Sequence, residues 1–177
     1  MKTEKRIRLR APEPEDLDVL LSIENDEKLW EVGTATGPYS RYQMKRYLAE
    51  VQNDIYIDRQ LRLMIQHETA GVAGIIDLCT FDPRHSRAEV GLVVREDMRR
   101  QGVAREALEM LERHCFGLLG IHQLYAYVPR QNTPSLALFR SAGYAEVAVL
   151  KDWVKTGSKF QDAVLFQKIN SGNGLVE

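Results

Sequence analysis

Residues 89–104 read Glu-Val-Gly-Leu-Val-Val-Arg-Glu-Asp-Met-Arg-Arg-Gln-Gly-Val-Ala, and this stretch decides the fold. Its first part is a near-continuous apolar run, interrupted by Gly91, that predicts a buried strand. A basic loop follows, and an amphipathic helix then begins beside Ala104. A glycine within a strand removes side-chain bulk and often marks a bulge, which leaves backbone groups free for an extended ligand. Strand, short loop and helix in this order predict an α/β fold with a ligand-binding edge.

The loop between this strand and helix has the composition of an anion site. Backbone N–H groups at a helix start, with Arg99, Arg100 and Arg105 nearby, suit a pyrophosphate, and Gly102 would let the phosphates approach closely. The alternative interpretation is that Gly91 relieves packing and that the arginines form a solvated face. The sequence contains neither Gly-x-x-x-x-Gly-Lys-Ser/Thr nor Gly-x-Gly-x-x-Gly after a strand, which disfavours ATP and NAD as ligands.

Signals on either side of this stretch extend the α/β pattern. Alternating or continuous apolar runs predict further strands at 7–11, 61–67, 72–81, 124–128, 144–150 and 163–169. Helical periodicity predicts helices over 17–24, from an N-cap at Ser40 to 51, over 104–118 and over 133–142. We find no internal repeat, and the order of the elements predicts a mixed sheet with crossover helices.

Composition excludes several classes of protein. A chain of 177 residues, 44% of them hydrophobic and 28% charged, is expected to fold around one core. Its net charge of -1 provides no positive field for nucleic acid or an anionic membrane. Without a signal-peptide pattern or a membrane-spanning run, the chain is expected to be cytoplasmic. Cys79 and Cys115 are expected to be buried, reduced thiols, and the spacing of the four histidines predicts no metal site.

Two motifs carry a resemblance to a known family. Arg99-x-x-Gly102-x-Ala104 after such a strand resembles the coenzyme A signature of the GNAT superfamily of acetyltransferases. Asn132-x-x-Ser135-x-x-Leu138-Phe139-x-x-x-Gly143-Tyr144 resembles the superfamily's next motif, whose strand splays from the preceding one to admit the cofactor. The resemblance extends from about Arg6 to Asn170. It implies a single GNAT-like α/β domain at 1–170, with a mixed, mostly antiparallel sheet, flanking helices and a splayed central strand pair, followed by a flexible tail at 171–177.

The resemblance implies acetyl-CoA as co-substrate, with no metal. Carried over residue by residue, the β-strand backbone would hold the pantetheine, the loop would hold the pyrophosphate, and the next helix would contact the cofactor from the other side. The implied cofactor-binding residues are Leu92, Val93, Val94, Arg99, Arg100, Gln101, Gly102, Val103, Ala104, Arg105, Asn132, Ser135 and Phe139.

Acetyl transfer to an amine benefits more from a general base than from a general acid. An amine with a pKa of about 10.4 lies about 3 units above neutral pH, so deprotonating it costs about 4 kcal/mol, whereas a thiolate with a pKa near about 8.5 gains less from a proton. Glu89 is the candidate base, although it could instead face solvent or pair with Arg87. The backbone N–H of Leu92 is the candidate oxyanion donor.

The general acid is uncertain from the sequence, because Phe139 stands where many superfamily members carry a tyrosine. Tyr144, Tyr127 or solvent could replace it. The alternative for both tyrosines is packing in the core.

The acceptor site is expected at the first two helices, where acidic side chains could attract a cation. The candidate substrate-binding residues are Glu24, Glu27, Trp30 and Glu31. Here Ile23-Glu24-Asn25-Asp26, Trp30 and Lys151-Asp152-Trp153 resemble the branch that holds spermidine/diamine and ribosomal-protein N-terminal acetyltransferases.

The main prediction is acetylation of a polyamine or diamine. A protein N-terminus as acceptor and a non-catalytic acyl-CoA-binding module stay as alternatives, and the acidic residues could instead be a solvated helix end. Edge strands near the C-terminus leave a homodimer open.

Overall fold

One sheet lies at the centre of the described chain. The structure, a computed structural model, describes residues 6–30 and 36–172. Its strands are β1 (Ile7–Arg10), β2 (Leu61–His67), β3 (Gly71–Asp82), β4 (Arg87–Val94), β5 (Gln123–Pro129), β6 (Ala145–Thr156) and β7 (Lys159–Ile169). They pair in the order β1-β2-β3-β4-β5-β7-β6, and every pair is antiparallel except the parallel pair β4 and β5. The predicted mixed, mostly antiparallel sheet is confirmed.

Helices connect the strands of this sheet. They are α1 (Leu17–Glu24), α2 (Glu27–Trp30), α3 (Arg41–Glu50), α4 (Ile55–Asp58), α5 (Val103–Arg113) and α6 (Thr133–Ser141). A π-helical turn at His114–Leu118 extends α5, which accounts for the longer helix predicted there. Among the described residues, no helix combines the length and the apolar character needed to cross a bilayer.

Two apolar clusters cover the two faces of the sheet. On one face, α5 and α6 contribute Leu108 and Phe139 to the larger cluster. On the other face, Leu20 of α1 and Met44 of α3 pack with the strands. The even-numbered residues of β4 belong to the first cluster and Val93 to the second, as the alternation of side chains along a strand requires. Helices therefore flank the sheet on both sides.

The N-cap predicted at Ser40 is present. Ser40 Oγ accepts a hydrogen bond from the Gln43 N–H at 3.1 Å, and Gln43 Oε1 accepts one from the Ser40 N–H at 2.7 Å. This reciprocal capping box satisfies two donors at the helix start. It fixes where α3 begins and so places Met44 against α1.

The last two strands are longer than the apolar pattern predicted. β6 continues to Thr156 and β7 begins at Lys159, joined through Gly157, whose φ is +61°. The added part of β6 is mostly exposed, with only Val154 and Thr156 half-buried, and it is interrupted by a register shift between Leu150 and Val154. An exposed, irregular strand has no clean alternation of apolar residues. The tail boundary stays a prediction, because only Ser171 and Gly172 of that segment are described.

The splayed strand pair is the feature of the sheet that matters for binding. β4 and β5 pair only through Arg87 with Gln123, Ala88 with Leu124 and Glu89 with Tyr125. Gly91 keeps regular register opposite Asp77, so the bulge that a strand glycine can mark is not at this position. The irregularity of β3 lies instead between Cys79 and Asp82. The separation of β4 from β5 beyond Glu89 confirms the predicted splay.

Candidate active site

The gap between β4 and β5 opens into a cleft of about 630 Å³. Residues from both faces of the sheet line it, since α1, α2 and α3 contribute on one side and α6 on the other. The predicted site residues that line this cleft are Glu24, Trp30, Glu89, Leu92, Val93, Asn132, Ser135 and Phe139. The structure therefore brings together residues predicted for the donor, for the acceptor and for proton transfer.

The edge of β4 presents unpaired backbone groups to this cleft. The Arg95 N–H donates to the Ala73 carbonyl at 2.8 Å. Because hydrogen-bonded positions alternate along an antiparallel pair, Leu92 and Val94 must direct their N–H and C=O groups away from β3. Within the described chain, β5 does not pair with β4 beyond Glu89. An extended ligand with amide groups, such as a pantetheine arm, can take the place of the missing strand.

The predicted pyrophosphate loop lies outside the lined cleft, at the N-terminus of α5. Gly102 precedes the helix with a φ of +82°, and no side chain caps the first turn. The backbone N–H groups of that turn are therefore open at the positive end of the helix dipole. The predicted cofactor residues in this segment are Arg99, Arg100, Gln101, Gly102, Val103, Ala104 and Arg105, and Val94 at the end of β4 lies before them.

The arginines of this loop differ in their partners. Arg99 Nε donates to the Val94 carbonyl at 3.0 Å, which ties the loop to the end of β4. Arg105 Nε contacts Glu109 Oε1 at 2.6 Å, and Arg105 Nη1 donates to the Ser141 carbonyl at 2.5 Å. Arg105 thus joins α5 to α6 more than it faces a ligand. Arg99 and Arg100 precede Gly102 in the loop that leads into α5.

Arg6 is a contact to this loop that sequence reasoning missed. Its Nη2 donates to the Gln101 carbonyl at 2.9 Å. The same nitrogen lies 3.4 Å from the position of a Cβ built on Gly102. Arginines that alternate along an edge strand read as solvent-facing, so the sequence held no signal that Arg6 would reach residues 95 positions away.

Glu89 lies at the point where β4 and β5 separate. Burial raises the pKa of its carboxyl, and the Thr80 hydroxyl opposes this by donating to Glu89 Oε2 at 3.5 Å. Arg87 pairs with Asp82 at 3.5 Å. Among the described residues, Glu89 has no basic partner within salt-bridge distance, so its carboxyl is available to a bound amine.

Arg62 and Asp77 are cleft residues that the predicted site did not include. Arg62 Nε and Nη2 donate to the two oxygens of Asp77 at 2.9 and 2.7 Å, and Arg62 Nη1 donates to Glu24 Oε1 at 2.5 Å. All three side chains are mostly buried, with 17–21% of each exposed. The sequence signal that could have identified Arg62 and Asp77 is that each is a charged residue within the apolar run of a predicted strand.

Trp30 and the acidic residues predicted around it differ in whether they line the cleft. Trp30 Nε1 donates to the Glu24 carbonyl at 2.7 Å, and both residues line the cleft. Glu27 lies on α2 but is not among the lining residues. Glu31 lies outside the described residues. The acidic character of the cleft therefore comes from Glu24, Asp77 and Glu89, and the lining shares only Glu24 with the predicted acidic set.

The structure does not bring Tyr144 to the cleft. Its side chain is buried against Phe139, with ring centroids 5.0 Å apart in an edge-to-face arrangement. Burial raises the pKa of Tyr144, and its hydroxyl has no hydrogen-bond partner in the described chain. Tyr127 does line the cleft and packs on Trp153 at 5.5 Å. Of the two tyrosines considered as acids, only Tyr127 is placed to meet a ligand.

No metal centre is evident in the described part of the chain. Across residues 6–30 and 36–172, no group of three or more His, Cys, Asp or Glu side chains could hold a metal ion. Cys115 is buried, as predicted, whereas Cys79 is half-buried and lines the cleft. Burial raises the pKa of the Cys79 thiol to about 11, which keeps it protonated at neutral pH.

Comparison with known proteins gives a family match over most of the chain. Residues 6–145 match the family model described as an acetyltransferase (GNAT) domain. The chain is 28% identical over 164 residues to the uncharacterized N-acetyltransferase p20 of Bacillus licheniformis, covering 92% of both chains. It is 20% identical over 158 residues to spermidine N(1)-acetyltransferase of Escherichia coli K12, covering 89% of this chain and 83% of that protein.

Solved structures give the same fold. The spermidine N-acetyltransferase of Vibrio cholerae, solved in complex with CoA and spermine, superposes with a TM-score of 0.84. The match covers 94% of this chain and 96% of that chain at 19% identity. At this identity the likeness shows a shared fold.

Proposed function

The chain belongs to the GNAT acetyltransferase family, and from this premise we propose that it moves the acetyl group of acetyl-CoA to a primary amine of a polyamine or diamine. The observation that carries the choice of acceptor is the charge of the cleft. Of the described residues, three carboxylates, from Glu24, Asp77 and Glu89, and one guanidinium, from Arg62, line it. This net negative charge suits an acceptor with more than one ammonium group. The spermidine acetyltransferase among the relatives supports the same class.

The donor is proposed to lie along the splayed edge of β4. Acetyl-CoA supplies the acetyl group as a thioester. The unpaired backbone groups of Leu92 and the N–H of Val94 would hold its pantetheine, and Asn132, Ser135 and Phe139 would contact it from α6. The open first turn of α5, with Arg99 and Arg100, would bind the pyrophosphate. Arg6, the residue before β1, would stabilise this loop.

Glu89 is proposed as the general base and the Leu92 N–H as the oxyanion donor. Glu89 lines the cleft without a basic partner, and burial raises the pKa of its carboxyl, which makes it a better proton acceptor. Removing the ammonium proton frees the amine lone pair for attack on the thioester carbonyl. The Leu92 N–H faces the gap in which that carbonyl would lie, so it can stabilise the developing negative charge.

Tyr127 is proposed to protonate the departing thiolate, because Phe139 has no proton to give and Tyr144 is buried away from the cleft. Glu24 and Trp30 are proposed to hold the far end of the acceptor. Arg62 occupies only one oxygen of Glu24, which leaves the other as an acceptor for an ammonium group. A homodimer and a cytoplasmic location stay predictions.

A panel of amines tests this function. Purified protein with acetyl-CoA should release free thiol with spermidine or putrescine, and Glu89→Gln should slow this release by about 10²-fold or more, because a general base contributes 10²–10⁴. Glu50→Gln, at an exposed helix position, is the matched control and should leave the rate unchanged.

Other outcomes of the panel select the alternatives. Thiol release with peptides but not with polyamines would favour a protein N-terminus as the acceptor. Binding of acetyl-CoA without thiol release on any amine would favour a non-catalytic module and contradict the proposal.

A further inference from the structure

Thr80 adopts a backbone conformation that its side chain disfavours. Its φ is +48°, in the left-handed region that β-branched residues rarely enter. The residue lies at the irregularity in β3 between Cys79 and Asp82. The next residue holds it there, because the Phe81 N–H donates to the Arg59 carbonyl at 3.0 Å and the Phe81 ring is buried. Glycine would adopt this conformation without strain, so the backbone alone gives no reason for a threonine.

The Thr80 hydroxyl joins three strands at the mouth of the splay. Its Oγ1 lies 3.5 Å from Glu89 Oε2 on β4 and 3.0 Å from Tyr125 Oη on β5. A threonine hydroxyl donates one proton and can accept others. The hydroxyl has a single proton, so when Thr80 donates it to the Glu89 carboxylate, the Tyr125 hydroxyl donates to Thr80. The result is a chain of hydrogen bonds that runs from Tyr125 through Thr80 to Glu89.

This chain leads away from the cleft. Glu89 lines the cleft, whereas Thr80 and Tyr125 do not, and Thr80 is exposed to solvent. With donor and acceptor both bound, the cleft side of Glu89 would be covered by ligand. Thr80 would then be the contact of Glu89 that still reaches water. A residue held in a strained conformation next to a reacting group is a recurrent feature of active sites.

The proposed reaction needs such an exit. Making an amide and a free thiol from an ammonium and a thioester releases one proton overall. One ammonium proton passes to Glu89 before attack. The second N–H proton, lost as the amide forms, balances the proton that the thiolate gains. Glu89 must therefore lose its proton to solvent before each new turnover.

We propose that Thr80 is the proton exit of the active site, with Tyr125 holding the Thr80 hydroxyl in place; this rests on the proposed function of Glu89 as the base. Protonated Glu89 donates its proton to Thr80 Oγ1, and Thr80 releases its own hydroxyl proton to water. Glu89 returns to the carboxylate and Thr80 stays a neutral hydroxyl, so protons and charge balance. The titratable and charged groups near Glu89 are Arg87 on its own strand and, on β2, β3 and β5, Arg62, Asp77, Cys79, Tyr125 and Tyr127.

Thr80→Val and Thr80→Ser test the exit, since valine keeps the shape without the hydroxyl and serine keeps the hydroxyl. The first readout needs no substrate: the Glu89 carboxyl is titrated by carbon-13 NMR. The Thr80 hydrogen bond lowers the pKa of Glu89, so Thr80→Val should move this titration to higher pH and Thr80→Ser should restore it. The second readout is turnover, where Thr80→Val should lower kcat about tenfold, a part of the 10²–10⁴ that a general base contributes. KM for acetyl-CoA should not change.

Two further variants keep the proposal open to refutation. Thr80→Gly relieves the strain, so it should melt no lower than the wild type while it still loses turnover. Tyr125→Phe keeps the ring contact with Tyr127 and should lower kcat by a smaller factor, about threefold, because Thr80 still reaches water. A Thr80→Gly protein with wild-type kcat would overturn the proposal, as would a Thr80→Val protein with unchanged titration and kcat.

The failure of the exit and the failure of the base can be told apart. If Glu89→Gln abolishes activity while Thr80→Val behaves as the wild type, only the exit is wrong. If Glu89→Gln is as active as the wild type, the base assignment falls and the exit falls with it.

Discussion

At the scale of single residues, Arg62 combines two tasks in one side chain. It neutralises part of the charge of two carboxylates and joins β2 to β3 and to the end of α1. Its guanidinium also lies over the Tyr47 ring at 5.7 Å. The network leaves the acceptor end of the cleft acidic without leaving its carboxylates unpaired. Its energetic weight should exceed that of an ion pair on the surface.

Removing this guanidinium should be costly. Arg62→Gln leaves Glu24 and Asp77 mostly buried without a cation, and we expect the free energy of unfolding to fall by about 3 kcal/mol. Urea unfolding at pH 7 measures it. Arg46→Gln is the matched control, because the pair of Arg46 with Glu50 is exposed by 59% and 63% and should contribute less than about 0.5 kcal/mol. Equal losses in the two variants would show that the network adds nothing beyond a surface pair.

At the scale of elements, the proposed donor site depends on how closely β3 approaches β4. A Cβ built on Gly74 would lie 2.1 Å from the Val93 carbonyl oxygen and 3.0 Å from Val94 Cα. Only glycine therefore allows this approach. Gly91 is less constrained, because its added Cβ would meet Asp77 Cβ at an ordinary 3.8 Å. The glycine that shapes the binding edge is thus on the neighbouring strand.

Gly74→Ala should damage both folding and donor binding. The added methyl group must push β4 away, which we expect to cost about 2–3 kcal/mol of stability and to misplace the backbone of Val94. Urea unfolding and calorimetry with coenzyme A measure the two effects. Gly91→Ala should change stability by less than about 0.5 kcal/mol. If Gly74→Ala were as stable as Gly91→Ala, the close approach of the strands would be refuted.

Arg6, the residue before the first strand, contributes to the same proposed site. Arg6→Ala should weaken coenzyme A binding by about three- to tenfold, because it removes a cation beside the open end of α5 and a hydrogen bond to the loop. Titration calorimetry at low and high salt measures this, and the loss should shrink as salt screens the charge. Arg8→Ala replaces an exposed arginine two residues further along the chain, and this variant should bind as the wild type does. Equal losses in both variants would indicate a general charge effect.

Local sequence patterns predicted the helices and strands. The contacts that depend on how these elements pair could not be predicted from such patterns. Ser40 and the strand of residues 89–94 were predictable because capping and apolar runs act over a few residues. The partnership of Arg62 with Asp77 depends on the register of β2 against β3, which places them opposite each other. Whether Tyr144 packs in the core or faces the cleft could not be predicted for the same reason, since the face on which its ring packs is set by tertiary contacts. α2 and α4, with four residues each, are too short to show a period.

At the scale of the whole molecule, the chain passes from one face of the sheet to the other soon after it begins. Ile7 of β1 belongs to the larger apolar cluster, whereas Leu17 and Leu20 of α1 belong to the smaller one. Arg10 and Asp16 join at this crossing through two hydrogen bonds of 2.7 and 2.8 Å. The Asp16 carboxylate is buried, and this pair joins the end of β1 to the start of α1.

The ion pair of Arg10 with Asp16 should make the free energy of unfolding depend on pH in the acidic range. The Arg10 hydrogen bond holds the pKa of Asp16 below its ordinary value of about 3.9, so the unfolded chain binds this proton more readily than the folded one. The stabilisation is present above about pH 4 and is lost as pH falls through the folded pKa. Asp16→Asn should cost about 1.5–3 kcal/mol at pH 7 and less at pH 3. Urea unfolding at both values measures it, and a pH-independent loss would contradict the ion-pair explanation.

The gap between β4 and β5 passes through the sheet, with α1, α2 and α3 lining it on one side and α6 on the other. One reactant can therefore enter the cleft from each face of the sheet, and the two can meet inside it. One product can leave the cleft from its own face of the sheet while the other product is still bound. In an enzyme built this way, access to the cleft need not fix the order in which the two reactants bind.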